Sequence, residues 1–161
     1  MITVRQATSE DAPQMAALLG AIIKRGGTTA LRGPVTAEDI MTWMSAAPAR
    51  SSWHVASDNT GQVLGFQWAE PHENLPPEAA DIASFVRIGE TGRGVGQTLF
   101  ATTVWRARAL GYRWLNASIR GDNTSGLTYY ARIGFYDWKI DDDATLWDGT
   151  VTGKVHKRFD L

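Results

Sequence analysis

The chain has 161 residues, enough for one well-packed core and few for two, so it is read as a single domain over residues 1–161. A formal net charge of -1 supplies no global positive field to draw in nucleic acid or an anionic membrane, so any anion site must be local. The absence of cysteine excludes disulfides, thiolate metal sites and cysteine nucleophiles.

In chain order, Ile2 to Thr8 alternates apolar and polar and predicts a first strand. Thr8 or Ser9, followed by Glu10, Asp11 and Pro13, starts a helix whose Met15, Leu18, Leu19, Ile22 and Ile23 recur at helical spacing until Gly26-Gly27. Thr28 to Val35 is a loop. Thr36 with Asp39 three residues on opens a second helix. Trp53–Ala56 and Val63–Trp68 predict a hairpin, and the proline-rich loop from Glu70 to Ala79 precedes a strand over Asp81–Ile88. A glycine loop then leads into a helix over Val95–Leu110. Trp114–Ile119 predicts a strand, Asn123–Ile133 a short helix, and Phe135–Ile140 and Val151–Phe159 two last strands. This order predicts an α/β (α+β) mixed sheet with helices on its faces, not an all-parallel doubly wound one.

No stretch approaches the roughly 18 apolar residues of a membrane span, and Met1 to Arg5 lacks the basic-then-apolar pattern of a leader, so a cytoplasmic location is expected. His54, His72 and His156 are far apart and have no helical metal-binding spacing, so no metal is expected.

The glycine loop, "VRIGETGRGVGQTLF" at 86–100, carries the first functional signal. Glycines between a strand and a helix suit a phosphate, because bare backbone closes around the anion and the helix's first N–H groups point at it. A P-loop is excluded, since Gln97 and Thr98 follow Gly96 where Lys and Ser or Thr are needed. A dinucleotide fingerprint is excluded too, because its third glycine would fall on Gln97 or Leu99.

Val86, Gly92-Arg93-Gly94-Val95-Gly96 and Leu99 resemble the acyl-CoA loop of the GNAT N-acetyltransferase superfamily. Asn123, then Tyr130 seven residues later, then Gly134-Phe135, resemble the superfamily's second motif. Thr91 departs from the Gln or Arg usual at the loop's opening. "AIIKRGGTTA" at 21–30 and Asp81, five residues before Val86, resemble the phosphinothricin acetyltransferase branch, whose members acetylate the α-amino group of small amino-acid-like compounds.

The resemblance implies a mostly antiparallel sheet of about seven strands and direct acetyl transfer from acetyl-CoA (coenzyme A) to a small-molecule amine. It implies cofactor contacts from Phe85, Val86, Arg87, Thr91, Gly92, Arg93, Gly94, Val95, Gly96, Gln97, Asn123 and Tyr130. Tyr130 would be the acid for the leaving thiol, and Asp81, one methylene shorter than the branch's glutamate, the base, directly or through water. Glu70 and Glu73 compete with Asp81 for that role. Thr28 and Thr29 lie where the family covers its acceptor, and a homodimer is a common family arrangement. Tyr129, Trp43, Trp53 and Trp68 are read as packing residues. Two alternatives stay open: a protein or peptide N-acetyltransferase, and a non-catalytic acyl-CoA-binding module.

Overall fold

The computed structural model describes residues 1–161. Strand β1 (Thr3–Gln6) leads through a short 3-10 turn into helix α1 (Ala12–Arg25). Asp11 anchors this entry: Arg5 grips its carboxylate with two hydrogen bonds of 2.8 Å, and Thr8 N–H donates to it. Pro13 occupies the first turn, where no N–H is needed, and Gly26 ends the helix at φ 73°. Helix α2 (Ala37–Ser45) begins with the expected capping box between Thr36 and Asp39. Then come β2 (Ser52–Ser57), β3 (Val63–Glu70), β4 (Ala79–Val86), α3 (Val95–Ala109), β5 (Trp114–Arg120), α4 (Thr124–Arg132), β6 (Tyr136–Asp141) and β7 (Lys154–Asp160).

The seven strands form one sheet in the order β1-β2-β3-β4-β5-β7-β6. Every neighbouring pair is antiparallel except β4 and β5. Period-two alternation sends Trp53, Val55, Phe66, Trp68 and Phe85 to the face covered by α1 and α2, where Met15, Leu18, Leu19 and Ile40 meet them. Trp53 and Trp68 stack at 4.6 Å between ring centroids, as core aromatics. The opposite face carries Ala80, Ile82, Leu115, Ala117 and Ile119 under Phe100, Tyr130 and Phe135.

The parallel pair creates the site. β4 and β5 are in register only from Ala79↔Trp114 to Asp81↔Asn116. Beyond Asp81 the strands part, and residues 82–86 of β4 keep only β3 as a partner. The last strand begins three residues later than the sequence predicts, at Lys154, because Asp142 to Gly153 forms an excursion closed by the bridge Thr145↔Val151. The fourth strand stops at Val86, two residues early, where Glu90 N–H turns back to Arg87 O.

Candidate active site

A cleft of about 970 Å³ fills the wedge between β4 and β5 and continues under the α1–α2 loop. Its end at the glycine loop is built by backbone. Gly89, Gly92 and Gly94 take φ of 91°, 84° and 80°, the left-handed region that favours glycine, and Gly94 caps α3. A fifteen-residue helix thus presents its unpaired N-terminal amides to the cleft. Gly96 is there for another reason than the sequence suggests. Its φ is ordinary, but a Cβ would lie 2.7 Å from the Tyr129 ring, whose hydroxyl donates to Gly96 O at 2.8 Å. Tyr129 therefore locks α4 onto the start of α3 as well as packing.

Phe85, Val86, Thr91, Gly92, Gly94, Val95, Gly96, Gln97, Asn123, Tyr130, Thr28 and Thr29 all line the cleft. Arg87 and Arg93 do not. Arg87 Nε donates to Val63 O at 2.8 Å, and Arg93 pairs with Glu90, so each cation is spent locally. The cations on the wall are instead Arg25, Arg120, Arg132 and Lys154, brought from four elements. Arg25, Arg132 and Lys154 make no ion pair. Spacing did not reveal them, since they meet only after folding.

The α1–α2 loop is tied down across the cleft by its carbonyls. Thr28 O accepts from Asn123 Nδ2 at 3.1 Å, and Thr29 O from Arg120 at 3.0 Å. Asn123 also caps α4, accepting from Gly126 N–H at 3.0 Å.

Tyr130 is buried and lines the wedge. Its hydroxyl lies 2.9 Å from Ser84 Oγ, which accepts from Gln67 Nε2 at 2.7 Å. Burial, helped by neighbouring Tyr129, raises the Tyr130 pKa well above the ordinary tyrosine value.

Asp81 sits just below the wedge and does not line it. Burial pushes its carboxyl up, against the Asn116 hydrogen bond and the charges of His72 and Lys154. Glu70 lies directly across from it on β3, and burial together with the Asp81 charge raises Glu70 to about 7. Glu73 lies outside the wall.

A split parallel pair, an amide-lined glycine turn at a long helix and a buried tyrosine at the fork define an acyltransferase that takes its acyl group from a coenzyme A thioester. No family model matches the chain. It is 30% identical over 162 residues to YwnH of Bacillus subtilis strain 168, provisionally named a phosphinothricin acetyltransferase, covering 99% of this chain and 95% of that one. It is also 30% identical over 141 residues to the L-methionine sulfoximine/L-methionine sulfone acetyltransferase of Pseudomonas paraeruginosa strain PA7, covering 83% and 79%. A crystal structure provisionally named a phosphinothricin N-acetyltransferase superposes with a TM-score of 0.87 at 28% identity, covering 100% of this chain and 99% of that one. The Sinorhizobium meliloti phosphinothricin acetyltransferase in complex with acetyl-CoA shares the fold, with a TM-score of 0.88 at 20% identity, covering 99% and 88%. The chain belongs to the GNAT superfamily, in the branch of the phosphinothricin acetyltransferases, and is an acetyl-CoA-dependent N-acetyltransferase.

Proposed function

We propose that this protein acetylates the primary amine of a small amino-acid-like compound, by direct transfer inside the wedge between β4 and β5. The observation that carries the reading is the shape of the cleft. One continuous space runs from the amide-lined turn at Gly92 and Gly94 past Tyr130 to the pocket under Thr28 and Thr29. Donor and acceptor thus share one enclosure, which suits a two-substrate transfer without a covalent enzyme intermediate.

Acetyl-CoA supplies a thioester carbonyl and a thiol leaving group. The glycine loop at Gly92 and Gly94 and the N-terminus of α3, with Arg25 and Arg132, suit its phosphates. Phe85, Val86, Thr91, Val95, Gly96, Gln97 and Asn123 complete that wall.

Tyr130 is the proton donor to the departing sulfur. Ser84 takes a hydrogen from Gln67, so its own hydrogen is available to Tyr130 Oη. That arrangement frees the tyrosine proton for the sulfur. On the acceptor side, Thr28 and Thr29 form the roof, and Lys154 faces the space where an amino acid's carboxylate would lie. Asp81 supports this side through Asn116.

A homodimer, common in the family, would use edge strand β6, where Trp138 and Ile140 are 42% and 60% exposed.

The acceptor class is tested by thiol release from acetyl-CoA with free amino acids, methionine sulfone, methionine sulfoximine and phosphinothricin, against peptides carrying the same N-terminal residue. Turnover with free compounds and none with peptides is the expected result. Preference for peptides would replace the reading with peptide acetylation, and binding without turnover would make the chain an acyl-CoA-binding module.

A further inference from the structure

One polar network on the acceptor side has a fixed hydrogen direction from Trp138 as far as Ser118. The Trp138 indole N–H only donates, and it reaches Asn116 Oδ1 at 2.9 Å. This fixes the Asn116 amide, so Nδ2 spends one hydrogen on Asp81 Oδ1 and one on Ser118 Oγ, each at 2.9 Å. Ser118 Oγ, already accepting, lies 2.8 Å from His156 Nδ1 and donates its own hydrogen to that nitrogen when the imidazole carries its proton on Nε2. Ser118 is exposed and lines the cleft, and its second lone pair is open. Asp81 lies behind Asn116, whose amide hydrogens cannot carry a proton onward as a hydroxyl does.

We propose that Ser118 and His156 form the path by which the acceptor ammonium gives up its proton, with Asp81 and Asn116 as positioning residues. This rests on the function proposed above. A proton passes from the ammonium nitrogen to Ser118 Oγ as the Ser118 hydrogen moves to His156 Nδ1, leaving a neutral amine and an imidazolium. The imidazolium returns one proton to solvent. The amine lone pair then forms the C–N bond as the C–S bond breaks. The second nitrogen proton leaves by the same path, and a proton from solvent restores Tyr130 after it has protonated the sulfur, so the net release is one proton per turnover.

The surroundings favour a neutral, receptive imidazole at pH 7. Partial burial and the charges of Lys139 on β6 and Lys154 on β7 lower the His156 pKa below its ordinary value, against an opposing pull from Asp141. Arg120 on β5 is engaged by Asp122, Arg158 on β7 by Asp160, and Asp81 on β4 lies beyond Asn116. The Trp138 ring packs beside the imidazole at 5.9 Å between centroids. Lowering the pH through this depressed pKa closes the path.

The test measures kcat against pH for the full chain carrying Ser118→Ala, Ser118→Thr, His156→Gln or Asp81→Asn, with two acceptors of different amine pKa. With the more basic amine, Ser118→Ala and His156→Gln should each lose on the order of 10² in kcat, the ordinary reach of general base catalysis. Ser118→Thr keeps the hydroxyl and most of the rate. His156→Gln should also lose the acid limb of the kcat profile, and its defect should shrink with the less basic amine, which a merely structural role would not produce. Asp81→Asn should retain that limb. A His156→Gln enzyme with unchanged kcat and acid limb, or an Asp81→Asn enzyme that alone loses the limb, overturns the proposal and makes Asp81 the base. If His156→Gln does not fold, the Ser118→Ala and Ser118→Thr pair decides alone: equal rates refute the path. Wild-type chain inert toward every amine refutes the functional reading itself, whereas active wild type with a silent His156→Gln refutes only the path.

Discussion

The donor role proposed for Tyr130 rests on surroundings that hold the proton on it. Burial penalises the phenolate and so favours the protonated hydroxyl, which on the proposed mechanism would hydrogen-bond to sulfur as negative charge builds there. Tyr130→Phe keeps the ring that packs on Phe135 at 5.0 Å, so fold and acetyl-CoA affinity should persist while kcat falls by roughly 10². An acetyl donor whose thiol has a lower pKa should recover much of that loss. Lost affinity with intact turnover would make Tyr130 a packing residue. Glu70 gives a second prediction at this scale. Its carboxyl is raised to about 7 in the fold, against 4.5 for an unperturbed glutamate. Between those values the folded state binds more protons than the unfolded one, so this group's stabilisation is full at low pH and is lost as pH rises towards 7. Melting temperature should therefore decline across that window on its account, and Glu70→Gln should flatten the slope. An identical slope in the variant would mean Glu70 titrates normally. Residue identities were partly legible in the sequence: Gly94 reads as a turn glycine because it must adopt positive φ. Arg25, Arg132 and Lys154 were not, since nothing local to any of them marks a shared wall.

At the scale of elements, the site follows from one strand pair that stops pairing. β4 and β5 hold three residues in register and then separate, and α3 begins where the gap opens. Gly94→Val tests the hinge between strand and helix, since a β-branched side chain opposes φ 80° although space is available for it. Coenzyme A at about a hundredfold its Kd should stabilise the native chain by roughly 2.7 kcal/mol, a melting shift on the order of 5 to 10 °C. The folded variant should lose most of that shift, and an unchanged shift would place the phosphates elsewhere. Helix starts were legible because their chemistry is local, as with Thr36 and Asp39. The meeting of Ser118 with His156 was not. It depends on the last strand inserting between β5 and β6, a choice of partner made across 38 residues. The excursion from Asp142 to Gly153 hid the start of β7 for a similar reason, because its Thr145↔Val151 bridge imitates a strand pattern.

For the whole molecule, the sheet divides the work between its faces. One face, with α3 and α4, carries the glycine turn and Tyr130; the other, with α1 and α2, carries Asp81, Ser118 and His156, and the wedge joins them. The exposed aromatics of β6 bear on assembly: sedimentation should give twice the 17.6 kDa chain mass, and Ile140→Lys should return the monomer. A monomer in the unmodified protein would leave that edge without a self-partner. The central claim is direct transfer of an acetyl group from coenzyme A to a small amine within one cleft. Its most direct test is a single-turnover reaction of excess enzyme with acetyl-CoA and free amino acids, followed by mass spectrometry. The account predicts that N-acetylated amino acid and free coenzyme A appear in the same exponential phase while the protein mass stays unchanged. An acetylated protein that precedes the product, or coenzyme A bound with no acetylated amine formed, would contradict it.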